Sequence, residues 1–294
     1  MKAVYKNPSF FACFRIFVGK IAFAVLFILI SGAIFPPGIA AQENIENDQH
    51  HVWSEILQRY LQTDRQSNIA LFDYAAVNGA ERAKLDRYIK HQTGLVASAL
   101  SRDRQLAYWI NLYNALTVKL VLDHYPVSSI RDINPASGFF DRLWQSGPWR
   151  AELVTVEGVP RSLDDIEQKI LLPLGRDPRI HYAINCASLG CPDLANKAFT
   201  AGRLEPMLDA AARRFINHPR ALRTDGEKLY LSSIYDWYRK DFGRTDREVI
   251  EHLMGYAEPG LRARLQLIDH ISGYDYDWAL NDVAITSTSG ESGR

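Results

Sequence analysis

The sequence predicts an α+β fold, predominantly helical with a small antiparallel sheet. Three observations carry that prediction. Helical periodicity dominates the first half of the chain. One long segment within it is apolar on nearly every side, as a buried central helix must be. Short extended runs bounded by turn signals enter only in the second half, interspersed with helices, which is not the regular alternation of a doubly wound sheet.

The elements follow in chain order. Lys2, Lys6, Arg15 and Lys20 precede an apolar run from Ile21 to Ile30, a breaker stretch from Gly32 to Gly38, and the small pair Ala40-Ala41. This is the charge, apolar core and small-residue pattern of a secretory signal, and the run is short of the ~20 residues that span a bilayer. The expected organisation is a signal peptide over 1–41, a linker over 42–51, a single globular domain over 52–282 and a disordered tail over 283–294. Cleavage near Ala41 is expected. Lys20 and Pro36-Pro37 blur both boundaries of the run, so a retained anchor stays open as the alternative.

Trp53, Ile56, Leu57, Tyr60 and Leu61 recur at helical spacing. Gln105–Asp123 is the all-round apolar helix, ended by Pro126. Glu152–Val156 followed by Gly158 reads as strand and turn, and Ser162-x-x-Asp165 as a capping box opening a helix. Arg179–Asn185 reads as a strand. Leu204–Ile216 is an amphipathic helix, and Ala221–Arg223, Asp225-Gly226 and Lys228–Leu231 form a hairpin. Ser233-x-x-Asp236 caps the next helix, with two more over Glu248–Ala257 and Leu261–Leu267.

Composition narrows the function classes. Among 294 residues, 34 Lys+Arg balance 34 Asp+Glu, so no charge excess points to nucleic acid or an anionic membrane. Hydrophobic residues at 47%, with six tryptophans, are ample for a large core. No Gly-rich phosphate loop is present, so no nucleotide cofactor is expected. No stable membrane span is expected after signal cleavage.

The chemistry-bearing residues concentrate in RIHYAINCASLGCPDL, residues 179–194. If 179–185 is extended, Arg179, His181, Ala183 and Asn185 share one face and Ile180, Tyr182, Ile184 and Cys186 the other, apolar one. Cys186 then reads as a core thiol, about 16 Å along the strand from His181. Ala187–Gly190 can reverse the chain and return Cys191. Three readings stay open: a Cys186–Cys191 disulfide, natural for an exported protein; a thiol site with Cys191 as nucleophile, His181 as general base and Asn114 or Asn185 orienting the imidazole; and a metal site. The last is weakest, because His-x4-Cys-x4-Cys supplies three ligands at no standard zinc spacing. Asn111 and Asn114 share one face of the buried helix. They either tie loop backbone to it or line a polar pocket with His181. Asp241 lies near a helix carboxyl end, where its charge opposes the dipole, and should sit there for an Arg or His partner. Asp165 and Asp236 read as caps, and Trp278 as core.

The blocks AYWINLYNALTVKLVLDHYPVSSI, VPRSLDDIE, DPRIHYAINCASLGCPDL, LYLSSIYDWYRKDF and YDYDWALN resemble, in order, the domain-of-unknown-function 547 family, with His181-Tyr182 where the family carries a His-Phe pair. The resemblance implies an exported bacterial form of a domain also found in plants, and implies no established activity. By analogy alone, the fold is compatible with papain-like or transglutaminase-like architecture. Two functional expectations follow: a thiol-dependent hydrolase or acyltransferase, and, alternatively, a non-catalytic envelope binding or structural domain stapled by the disulfide. Partners are left unknown.

Overall fold

The computed structural model of the chain describes residues 49–133 and 147–284. The expected signal, most of the expected linker and all but two residues of the expected tail lie outside the described residues.

Apolar side chains on every side make the helix α3 (Arg102–His124) the centre of the first of two hydrophobic cores, with Leu106, Trp109, Ile110, Leu112, Leu116, Val118 and Val121 all buried. Against it packs α2 (Gly79–Thr93), and against α2 packs α1 (His51–Tyr60), burying Trp53, Ile56, Leu57 and Tyr60 as their spacing predicts. Asn78 caps α2 by accepting from the Glu81 N–H, which satisfies one of the orphan donors of a helix start. The hairpin of β1 (Leu61–Thr63) and β2 (Ala70–Phe72) follows α1, pairing Leu61 with Phe72.

A second hairpin, β3 (Val154–Val156) and β4 (Val159–Arg161), turns through Glu157 and Gly158. Both have positive φ, 50° and 77°, the backbone that a two-residue turn needs to match strand twist. Ser162 and Asp165 then cap each other's backbone reciprocally, as their spacing predicts. The helix they open is not an ordinary α-helix. Residues Asp165–Leu171 are π-helical before running on as α4 (Leu172–Gly175). Glu167, on the apolar face of this helix, is buried.

The segment read as a strand is helical. Ile180–Ala183 form a single turn, α5, and the chain becomes extended only at Ile184. The period-2 reading fails because all four residues of that turn are buried, and a short apolar run cannot be assigned by periodicity when every side is covered. The burial of the cysteines changes with it: Cys191 is buried and Cys186 only partly so.

The second core lies under α6 (Leu204–Ile216), α9 (Asp246–Tyr256) and α10 (Pro259–Leu265), with the short turns α7 (Ile234–Trp237) and α8 (Arg239–Phe242). Its sheet is β5 (Leu222–Asp225), β6 (Lys228–Ser232) and β7 (Gly273–Asp275). The β5–β6 pair is antiparallel with Leu222 opposite Leu231, and the edge β6–β7 pair is parallel. Thr245 and Glu248 form a full capping box on α9. Ser233 makes no side-chain cap on α7; its carbonyl instead accepts from the Asp236 and Trp237 N–H groups. The architecture is thus α+β and predominantly helical, with small sheets. Ile180 and Ala183 belong to the first core and Tyr182 to the second, so α5 lies on the seam between them.

Candidate functional site

At that seam a cavity of about 200 Å³ opens beside His181. The imidazole side chain is 1% exposed, with Nε2 2.9 Å from Asp241 Oδ2 and Nδ1 3.9 Å from Glu167 Oε1. It therefore stands between two carboxyl groups. The Tyr238 ring lies 4.1 Å from it, centroid to centroid, and Phe242 5.1 Å, which fixes the ring plane. Asp241 is the more exposed of the two acids.

Glu167 is buried and raised in pKa, chiefly because burial disfavours its charged form, while His181 and the Tyr238 and Tyr113 hydroxyls oppose that shift. The Tyr113 hydroxyl lies 3.5 Å from Glu167 Oε2, a long contact. Both Glu167 and His181 line the cavity, with Asp164 one helical turn before Glu167. Its walls are aromatic. Trp237 stacks on Trp278 at 5.4 Å, Tyr276 sits 4.8 Å from Trp237 and 4.6 Å from Trp278, and Trp149 meets Trp278 edge-on. Trp278, expected in the core, is a half-buried wall residue.

Cys186 and Cys191 also line the cavity, and they are joined in a disulfide with Cα atoms 6.1 Å apart, inside the usual bridging range. The Tyr276 hydroxyl lies 3.1 Å from each sulfur and 2.9 Å from Ser188 Oγ. The loop between the cysteines is pressed against the chain that carries Tyr276 and Trp278. Leu189 and Gly190 donate to the Ala279 and Asp277 carbonyls, and a Cβ at Gly190 would come within 2.9 Å of Asp277 backbone. Only glycine fits that approach. Just beyond, burial disfavours ionisation of Asp193, yet Arg220, the Ala70 N–H and Arg214 outweigh it and hold the carboxyl below its ordinary range.

The asparagines take backbone partners. Asn111 brackets Phe199, donating to its carbonyl at 2.8 Å and accepting from its N–H at 2.9 Å. Asn114 does the same for the segment holding His181, donating to the Ala183 carbonyl and accepting from the Asn185 N–H, both at 2.9 Å. Asn185 donates to the Pro192 carbonyl and accepts from the Ala187 N–H. None of the three lines the cavity. The hydrogen-bond partner on the imidazole is Asp241. The structure thus brings His181, Cys186 and Cys191 to one cavity, sets Asp241 behind the imidazole, and uses Asn111, Asn114 and Asn185 as braces.

Sequence reasoning missed Glu167, Tyr238, Tyr276 and Trp237. For Glu167 a signal existed: Leu163, Ile166, Ile170 and Leu171 form an apolar stripe, and Glu167 stands inside it. Among the described residues, no group of three His, Cys, Asp or Glu side chains is placed to hold a metal ion. No described helix is long and apolar enough to cross a membrane.

Residues 97–216 match the family described as "Protein of unknown function, DUF547", a span that contains α3, Glu167, His181 and both bridged cysteines. No curated protein and no solved structure matches the chain.

Proposed function

Starting from a chain that contains a DUF547 domain, we propose that the cavity binds a small ligand and moves protons on it, in the manner of a hydrolase. Glu167 is the acid, His181 the base, and Asp241 the positioning residue that holds the imidazole. The observation that supports this is the Glu167–His181 pair itself. A carboxyl group and an imidazole, both buried, face one cavity 3.9 Å apart, too far to satisfy each other directly and close enough to address a third atom between them. Burying two ionisable groups side by side carries a desolvation cost, which makes them functional candidates on physical grounds. Thiol-dependent acyl transfer at Cys191 requires the bridge to be opened first; with it closed, Glu167 and His181 are the groups available for proton transfer. The disulfide also supports the proposal that the chain is exported, because such bridges persist in oxidising compartments.

The test has two arms. Carbon-13 carboxyl NMR of the ligand-free protein should find Glu167 titrating above the ordinary glutamate range, and an ordinary value would refute the acid assignment. Chromogenic esters and amides should be turned over by the parent and about 10²-fold or more slower by Glu167→Gln; equal rates would refute catalysis. A second reading, a non-catalytic envelope domain, is favoured by one specific observation: Asn111, Asn114 and Asn185 are fully engaged by backbone, as braces of a binding scaffold would be.

A further inference from the structure

We propose that the ligand of this cavity is an organic cation, an amine or quaternary ammonium group held against aromatic faces above an acidic floor. The inference rests on reading the cavity as a ligand site and adds the charge and size of what enters it.

Three features converge. The described residues lining the cavity include two acids, Asp164 and Glu167, and neither Lys nor Arg. An anionic ligand would meet no Lys or Arg, whereas a cation meets two acid side chains. Next, the walls present ring faces. Trp237 is 47% exposed and stacks with Trp278 and Tyr276 into one aromatic surface. Ring faces carry the negative lobe of the quadrupole and attract cations. The fold already uses this cluster so: the Arg131 guanidinium lies 5.2 Å from the Trp278 ring centroid, although Arg131 does not itself line the cavity. Finally, about 200 Å³ is below the ≈300 Å³ at which extended ligands are accommodated. A compact headgroup fits it, and a chain of linked units does not.

The proton inventory agrees. Glu167 faces the Tyr113 and Tyr238 hydroxyls, His181 with Asp241 behind it, Asp164 on its own helix and Tyr276 across the cavity. Burial raises the pKa of Glu167, so a cation bound beside it would favour the carboxylate and the release of its proton. That linkage makes binding strengthen as pH rises.

The test compares choline with 3,3-dimethylbutan-1-ol, its uncharged isostere, on the full chain at constant ionic strength, read by tryptophan fluorescence and calorimetry. Choline should bind about tenfold or more tightly than the isostere, with affinity rising with pH, and methyl β-glucoside should bind no better than the isostere. Glu167→Gln and Trp237→Leu should each weaken choline about tenfold; Trp237 is exposed enough that its replacement tests the site if the glutamate variant fails to fold. Equal or tighter binding of the isostere or the glucoside overturns the proposal, as does no choline binding up to about 100 mM. The ligand-free carboxyl titration separates the two failures. A raised Glu167 with no preference for charge removes the cation alone, and an ordinary Glu167 removes the acid–base reading as well.

Discussion

Asn114→Ala is the sharpest test of how the site is held. The amide side chain closes two hydrogen bonds, one with the Ala183 carbonyl and one with the Asn185 N–H, each 2.9 Å. Both backbone groups belong to buried residues, with Asn185 immediately before the bridged loop. Truncation leaves a carbonyl and an N–H buried without partners, and each such group costs about 1–3 kcal/mol. The expected loss is therefore about 4 kcal/mol, which for a domain of this size lowers the melting temperature by about 8–16 °C. Urea unfolding followed by circular dichroism, with the slope of the transition held as a check on two-state behaviour, measures it directly. Asn111→Ala should cost a similar amount through Phe199. The two amides share no partner but stand three residues apart on one helix face, so the double variant measures the coupling between the two braces. A loss below about 1 kcal/mol for Asn114→Ala would refute the reasoning, since it would mean that water or a rearranged loop satisfies those groups.

The remaining expectations concern the bridge and titration. Reducing the Cys186–Cys191 disulfide, or replacing both cysteines by serine, should cost only about 2 kcal/mol, because a separation of five residues constrains the unfolded chain little; a loss above about 4 kcal/mol in denaturant titration would show that the bridge holds the cavity wall itself. Glu167→Gln should raise stability at neutral pH. The folded-state pKa of Glu167 is raised by burial, so the folded chain binds the proton more tightly, and that stabilisation is full below the ordinary glutamate value and lost as pH rises through the raised one. The variant's gain over the parent should therefore vanish in acid, and a constant gain would contradict the assignment. His50 and His252 behave oppositely. Burial lowers each from 6.5 to about 4, so the unfolded chain binds more protons between those values. Stability is full above pH 6.5 and falls as the pH drops towards 4, by about 3 kcal/mol for each histidine. His50→Gln should flatten part of that slope in pH-dependent unfolding.

Much of the architecture was legible because it is written in burial patterns. A helix apolar on every side has one place to go, and Trp53, Ile56, Leu57 and Tyr60 mark a helix face without ambiguity. The braces were half legible. Two amides three residues apart on a buried helix must meet something polar, but whether that is backbone or ligand depends on a chain 69 residues away. The strand assigned to 179–185 failed where periodicity carries no information, and it took the burial order of the two cysteines with it. Glu167 was legible in part: it stands with Leu163, Ile166 and Ile170 at ordinary helical spacing, and an acid inside an apolar stripe is the kind of local inconsistency that marks functional positions. The aromatic wall was hidden for another reason. Trp149, Trp237 and Trp278 come from three separate segments, and nothing local in Trp278 distinguishes a wall residue from a core one.

The position of the cavity follows from how the two cores share one short segment. α5 gives Ile180 and Ala183 to the first core and Tyr182 to the second, so its remaining side chain, His181, is left pointing along the seam. A seam between two close-packed bodies is where space remains, and there the fold places its costly groups. Glu167 comes from a helix wound out of the ordinary register, Asp241 from the turn after the aromatic pair Trp237-Tyr238, and the bridged loop from a glycine that no larger residue can replace. Each of these departs from what stability alone would select, and they converge on one hollow. Other irregularities lie elsewhere, such as the positive φ of Asn68 and Arg176 and the largely buried Asp193–Arg220 pair. What sets the His181 imidazole apart is that an acid, a bridged loop and an aromatic wall meet there around one cavity, and this convergence supports the proposal made for it.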